Sequence, residues 1–491
     1  MDQGSYLYTA NLTGIMRRVV LILVLLISVP ALAQDAKKWT LKECVDIALE
    51  NNLRIKRSVY NVESFRASLM QAKGSFLPTF NAGAGYTKNY GRALNPVTNQ
   101  FVNRNSDAIN PSLNASITLF NGLRLQNTFR QSQRDVLAAN HDLEKAKNDV
   151  VLNVVTLYTN VIFNQELFEN AKYQLNSSQQ QLDRIKKQVE AGALAISNQL
   201  NQEAQVATNE LNMINQENAL LLSLLQLKQA MQVPASESMQ IEIPDLQLED
   251  LVLDQNAESV YKIALESMPE IRSAELKMES ANLALKANRG SYLPRLSLTG
   301  LASSNYSSVS NAARYQADGT FSVGTTPIGV TAGNQQVYAY QANLVQISPE
   351  YNQADQLKDN VFKSVSLQLN IPILNGLATR ANVQRAIINK EIAQISITET
   401  QNTLRQSIES AFNDAQAASR SYASSLKQVK AQEEAYRMNK QRFEVGALSV
   451  IEYQVSENDL YRAKSDLTRS KYNFIFKKKI LDFYQGKPIE F

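Results

Sequence analysis

The chain has 491 residues, with 50 Lys and Arg against 46 Asp and Glu, a formal net charge of +4. So balanced a chain, with no basic block, carries no footprint for nucleic acid. One cysteine, Cys44, and one histidine, His141, exclude a disulfide framework and a Cys/His metal cluster. No cofactor and no catalytic triad is expected.

In chain order the first element is a targeting segment. Arg17 and Arg18 precede an apolar run from Val19 to Val29, followed by Pro30 and Ala31-Leu32-Ala33. This pattern predicts a signal peptide over residues 1–33, with Met16 as an alternative start and Gln34 as the mature N-terminus. The run is shorter than the roughly 20 residues of a membrane-spanning helix. The chain is therefore expected to be exported and not held by a helix.

Residues 34–233 form a first repeat. A helical period runs from Leu41 to Gly74, with a break near Asn51-Asn52. Pro78 ends it, and the period then changes to two. Residues 79–90 and 111–120 alternate apolar with small polar side chains and predict two strands. The Asn-rich stretch between them is expected to be a loop. A proline-free stretch predicts a long helix over 123–190, and Gly192 marks its C-terminal turn. A return helix is expected over 195–232. Residues 234–257 then form a linker, with a strand-like segment at 239–243.

Residues 258–485 repeat this plan. Ser75-Phe76-Leu77-Pro78 returns as Ser291-Tyr292-Leu293-Pro294, 216 positions on; Asn121-Gly122-Leu123 returns as Asn375-Gly376-Leu377, 254 positions on. The change of offset places 38 additional residues between Pro294 and Asn375, expected as a longer polar loop. Strands are predicted over 295–306 and 362–373, a long helix over 377–444, a return helix over 449–485 and a tail over 486–491. Leu404, Ile408, Ala411, Ala415, Ala418 and Tyr422 step by alternating fours and threes, a heptad seam. Cys44 aligns with Val260 and His141 with Ile395, so both are expected at apolar helix positions.

The apolar strand positions include Phe80, Tyr86, Leu113, Ile117, Leu296, Leu298, Leu367 and Leu369. A soluble hairpin packed on a core would alternate in the same way. The opposite face is small and uncharged, as in a wet barrel, and about ten residues per strand match an outer-membrane span. On that reading the eight residues face lipid. Four strands cannot close a membrane barrel, whose smallest examples have about eight, so copies must pool strands. Two or three copies satisfy the count.

The doubled motifs Ile47–Asn52/Ile263–Met268, Gly74–Pro78/Gly290–Pro294, Leu119–Gly122/Ile373–Gly376 and Gly192–Asn198/Gly446–Glu452 resemble those of the TolC-like outer membrane efflux proteins. The resemblance covers nearly the whole mature chain. It implies a mainly α fold with a small membrane β part: a periplasmic α-barrel and a 12-stranded β-barrel shared by a homotrimer. Its implied partners are outer membrane lipid, a periplasmic adaptor and an inner-membrane transporter, in efflux or type I secretion. A periplasmic adaptor or a coiled-coil scaffold is the alternative.

In that family the helical turns form a periplasmic tip that opens like an iris, lined by acidic residues after the second turn. Glu452 matches the first acidic position and Val455 the second. Leu448 stands where some members have arginine, Phe443 where they have tyrosine, and Asn198 is the first-repeat counterpart of Glu452. The resemblance thus implies a gate of Glu452, Phe443, Leu448, Val455 and Asn198, with apolar packing by Phe443 and Leu448. The other reading of Glu452 is a solvated carboxylate favoured at a helix start. The turns Gly192-Ala193-Leu194 and Gly446-Ala447-Leu448 are the expected adaptor-docking surface; simple helix capping accounts for the same glycines.

Overall fold

The structure is a computed structural model that describes residues 38–94, 101–103, 105–243, 256–310, 314–348 and 351–487. The signal segment, most of the linker and the end of the tail lie outside these residues. In chain order they form β1 (Lys38–Trp39), α1 (Leu41–Asn51), α2 (Leu53–Gly74), β2 (Thr79–Asn89), β3 (Arg92–Leu94), β4 (Phe101–Asn103), β5 (Ser106–Phe120), α3 (Arg124–Glu190) and α4 (Ile196–Met231). The order continues with β6 (Gln240–Ile241), α5 (Ala257–Ser267), α6 (Pro269–Arg289), β7 (Arg295–Ser303), β8 (Tyr306–Ser307), β9 (Arg314–Val330) and β10 (Gln336–Ser348). It closes with α7 (Gln353–Asp359), β11 (Phe362–Asn370), α8 (Ala378–Glu444) and α9 (Val450–Tyr484). No helix among the described residues is long and apolar enough to cross a membrane.

Both repeats break their first helix in the same way. Asn52 (ψ 126°) and Met268 (ψ 125°) are extended, and Pro269 opens the next helix where its missing N–H is harmless. The long helices α3 and α8 have 67 residues each, about 100 Å at 1.5 Å per residue. The chain divides into two compact units, each drawing on both repeats. One comprises residues up to Lys56, Ala146–Ser267 and Gln406 onward; the other comprises Arg57–Lys145 and Met268–Arg405.

The second of these units holds an antiparallel sheet of order β11-β7-β5-β2, with β8 pairing farther along β5. The register aligns Phe80, Ala115, Gly300 and Val365 across all four strands, and next to them Ala82, Leu113, Ala302 and Lys363. Leu298 pairs with both Ile117 and Leu367, and Leu296 with Leu369. The eight apolar residues singled out above therefore share one face. Its large side chains Phe80, Tyr86, Leu113, Val365, Leu367 and Leu369 are exposed. Asn81, Asn114 and Ser364 line the other face beside Thr79, Ser116, Thr299 and Ser366.

Three strand expectations are corrected. β5 begins at Ser106, not at 111, because its ladder with β2 continues to Asn89↔Ser106. β7 and β11 stop at Ser303 and Asn370; Pro372, without an N–H, cannot extend the ladder. The 38-residue insertion is not an irregular loop. It contains the β9–β10 hairpin, in which Phe321 pairs with Ala342 and Val323 with Tyr340. Its alternation is of the same kind as that of the sheet strands, and it was hidden among Gly, Thr and Gln.

Above the sheet, Gly122 and Gly290 bring β5–α3 and α6–β7 into backbone contact. A Cβ on Gly122 would lie 2.2 Å from the Gly290 carbonyl oxygen, and one on Gly290 2.4 Å from that of Gly122. Gly122 (φ 68°) is followed by Leu123 (φ 62°), and the second repeat copies the pair in Gly376 (φ 61°) and Leu377 (φ 64°). A leucine in this region is strained, so the sharp strand-to-helix corner is held by its surroundings. Beyond it α6 packs on α3 through polar links. Ser280 donates to Asp135 at 2.5 Å, Ser273 to Asp142 at 2.6 Å, and Arg134 pairs with Glu279 at 3.0 Å.

The other unit is cored by α3, whose Val154, Val155, Tyr158, Val161 and Ile162 are buried with Cys44, Ala48, Leu227 and Met231. β1 and β6 pair in parallel, and the Tyr158 hydroxyl lies 2.6 Å from the Glu242 carbonyl oxygen and 3.1 Å from that of Trp39. Burial pushes the Cys44 thiol up to about 12, which keeps it protonated and inert, the apolar filler its alignment with Val260 implies. His141 is only half-buried, so its apolar counterpart Ile395 does not report a core position. The heptad seam is buried at Ile408, Ala411, Ala415 and Ala418, and Tyr422 stacks on Phe474 with ring centroids 6.3 Å apart.

Replacing Gly290 by alanine forces the strand–helix corners apart. Gly290→Ala is expected to destabilise the protein by about 1–3 kcal/mol, read as a lowered melting temperature, whereas Gly300→Ala, whose Cβ would meet nothing closer than 3.8 Å, should cost less.

Candidate gate and docking turns

The two long helices end in the same motif. Gly192 N–H donates to the Val189 carbonyl at 2.9 Å and Ala193 N–H to that of Gln188 at 2.8 Å. Gly446 and Ala447 repeat this with Phe443 and Arg442 at 3.0 and 2.8 Å. This is the Schellman arrangement, which needs a left-handed residue after the helix; Gly192 (φ 72°) and Gly446 (φ 74°) supply it. Ala193, Ala447 and both glycines are exposed, and Leu194 and Leu448 are half-buried. The turns thus offer small solvated backbone flanked by one leucine each.

The helices that follow start differently. Ser449 caps α9: its hydroxyl accepts from Glu452 N–H at 3.2 Å, while the Glu452 carboxylate accepts from Ser449 N–H at 3.1 Å and from its hydroxyl at 2.8 Å. This capping box and the bonds from Ser449 hold the Glu452 carboxyl below its ordinary range, so it stays ionised at neutral pH. In the first repeat the cap position is Ala195, with no side-chain bond, and Asn198 bonds only through its N–H to the Ala195 carbonyl at 3.0 Å. Glu452 therefore serves the helix start, as its second reading has it, and still presents a charge to solvent.

Phe443 is already engaged within its own hairpin. Its ring stacks on Tyr453 at 4.7 Å, and the Tyr453 hydroxyl lies 2.9 Å from that of Tyr436. Val455 and Ile451 are exposed. Of the apolar pair expected to close the tip, Phe443 thus rests on Tyr453 and Leu448 sits at the turn.

Sequence reading missed a belt of polar links between the hairpins. Ser177 of α3 donates to Glu457 of α9 at 2.7 Å, Gln174 donates to Asn458 at 3.1 Å, and Gln454 of α9 donates to Gln202 of α4. Gln202, itself buried, donates to the Ser178 carbonyl at 2.9 Å. Each residue looks like ordinary solvated-face Gln or Ser until the helices are packed; the signal was the density of Gln, Ser and Asn over 174–181. Glu457 is only 6% exposed. Burial raises its pKa, with the Ser177 bond and Lys440 acting the other way. Its folded-state pKa lies above the unfolded one, so ionised Glu457 costs stability at neutral pH. That cost fades as pH falls through the raised value.

Glu457→Gln, which keeps an acceptor for Ser177, should therefore raise the melting temperature at neutral pH, and the difference should shrink as the buffer is acidified. Thermal melts across pH check both the sign and the trend.

Against known proteins, the chain is 20% identical over 429 residues to outer membrane protein TolC of Escherichia coli, covering 87% of this chain and 78% of that one. It is 21% identical over 474 residues to the alkaline protease secretion protein AprF of Pseudomonas aeruginosa, covering 93% and 86%. The fold matches the crystal structure of the Campylobacter jejuni CmeC outer membrane channel with a TM-score of 0.70 at 19% identity, over 92% of this chain and 87% of that one. The model of the outer membrane efflux proteins matches residues 44–232 and 260–475, and the chain belongs to that family.

Proposed function

We propose that this chain is one protomer of an outer membrane exit channel, conducting cargo delivered by a periplasmic adaptor and an inner-membrane transporter. The observation that carries this reading is the four-stranded sheet: one face largely apolar, with large side chains exposed on β2, β5 and β11, the other lined mostly by small polar residues, and β2 and β11 its two edges among the described residues. In lipid such a sheet must close, because unpaired backbone groups cost several kcal/mol each. Three copies would give twelve strands, within the range of outer-membrane barrels, with the eight named apolar residues toward lipid. Helices of 67 residues, each about 100 Å long at 1.5 Å per residue, suit a duct crossing the periplasm. The relatives named above include a secretion protein and an outer membrane channel; transport, not catalysis, is the activity proposed.

At the turns, the exposed Gly192 and Gly446 loops would meet the adaptor. Glu452 would contribute a ring of carboxylates, one per copy, with Val455 and Leu448 supplying apolar contact and Asn198 the uncharged counterpart in the first repeat. The belt through Glu457 and Gln202 would tie the two hairpins of one copy together at rest. A periplasmic adaptor or a coiled-coil scaffold, the alternative, leaves the apolar sheet face without a purpose.

The native mass of the protein extracted from outer membranes in detergent tests the reading. Three copies that conduct ions in planar bilayers are expected; a monomer released without detergent would overturn it. Glu452→Gln separates charge from capping, since glutamine also completes a capping box. The variant should fold normally while the cation-to-anion permeability ratio falls toward unity; an unchanged ratio would remove Glu452 from the conduction path.

A further inference from the structure

The two repeats share one Lys–Glu pair and treat it in opposite ways. Lys186 and Glu203 stand 254 positions before Lys440 and Glu457, the offset that relates the long helices and their turns. In the first repeat the pair is solvated. Lys186 Nζ of α3 lies 3.9 Å from Glu203 Oε1 of α4, with side chains 42% and 40% exposed, and Gln199 donates to the same oxygen at 3.0 Å. In the second repeat the carboxylate is buried instead, 6% exposed, and accepts from Ser177 across the seam between α3 and α9 at 2.7 Å. Lys440 acts on it through its charge.

Three helices wall the buried carboxylate. α3 supplies Tyr173 and Ser177, and its Arg184 acts on Tyr436; α8 supplies Tyr436 and Lys440; α9 itself supplies Tyr453 and Tyr461, the latter reaching the same serine. The rings pack in pairs, Tyr173 with Tyr461 at 5.9 Å between centroids and Tyr436 with Tyr453 at 5.8 Å. Burial holds the Tyr436, Tyr453 and Tyr461 phenols above their ordinary range, so they stay neutral. From α4, Gln202 meets Gln454 of α9, and its neighbour Glu203 is already held by Lys186. Glu457 is thus the carboxyl of this cluster, and the first repeat shows where such a carboxyl goes when water reaches it.

We propose that Glu457 is a proton-operated latch between α3 and α9: neutral, it closes the seam on Ser177; ionised, it turns out to Lys440 as Glu203 does to Lys186, and the seam parts. Burial gives the carboxyl of the joined state the higher pKa, so parting releases a proton. The joined seam has its full advantage below the pKa of the solvated carboxyl and loses it as pH rises through the raised value of the buried one. Over that window the joined-to-parted ratio changes by up to about tenfold per pH unit. The Gln174–Asn458 and Gln454–Gln202 bonds flank the latch and carry no charge, so they resist parting equally at every pH. The latch belongs to one copy; that parting admits cargo rests on the channel reading above.

Distances within one copy test the latch. In a Cys44→Val background, Gln179→Cys on α3 and Asp459→Cys on α9, both exposed positions, carry spin labels. Labelled chains are diluted with unlabelled ones in detergent, so that each distance is intramolecular. A single short distance is expected in acid, with a longer component growing as pH rises. Glu457→Gln keeps an acceptor for Ser177 and has no proton to lose, so it should hold the short distance at every pH. Lys440→Gln removes the charge that favours the ionised carboxylate and should move the transition to higher pH. A distance distribution that ignores pH, or an equal pH response in Glu457→Gln, would overturn the latch. A Lys440→Gln transition at the parent's pH would overturn the part given to Lys440. A monomeric native mass or absent conductance would overturn the channel reading and leave the latch standing.

Discussion

The constraint on which the rest of the architecture depends is that backbone N–H and C=O groups cannot remain unpaired in hydrocarbon. Among the described residues the sheet runs β11-β7-β5-β2, and β2 and β11 are its edges. No rearrangement within one copy can close so small a sheet. On the proposed reading, repetition within the chain and between copies would close so short a β segment, which accounts for a sequence written twice. The same proposal accounts for the apolar exposure: residues such as Val365 and Leu367, 79% and 63% exposed, would be a liability in a water-soluble monomer and would suit a wall facing lipid.

A closed β-barrel continued by helices needs a corner at every strand-to-helix junction, and the backbones of neighbouring staves must approach closely there. Glycine serves both demands. At Gly122 it supplies the left-handed conformation of the corner, and at Gly290, whose backbone is ordinary, it supplies only the missing Cβ. The leucine after Gly122 accepts a strained conformation because the strand before it and the helix after it are both fixed. Beyond the corner, serine hydroxyls and carboxylates between α6 and α3 replace some of the apolar packing that a compact core would use. These links are partly solvated, so each contributes modestly to stability and more to alignment.

At the other end of the long helices the same economy recurs. A Schellman turn terminates each helix, and a capping box starts α9. Inter-hairpin links run through Ser177, Gln202 and Glu457, a buried carboxylate held in an environment that disfavours its charge. Such a polar belt is weaker than an apolar seam of equal area but more specific in geometry.

The sequence by itself determined the duplication, the two helical hairpins, the period-two strands and the glycine turns. Each of these is set by local period or by a backbone conformation that few residues adopt. It also marked the apolar strand faces, because alternation survives without knowledge of partners. Only the tertiary structure decided that the insertion forms the β9–β10 hairpin, that Phe443 stacks on Tyr453, and that Glu457 lies buried against Ser177. It alone gave Gly122 and Gly290 to one contact while leaving Gly74 and Gly376 open. The reason is physical: these outcomes depend on which helix face or strand edge is brought opposite another, for Ser177 with Glu457 and Gly122 with Gly290 between segments more than a hundred residues apart, and the local period does not encode it.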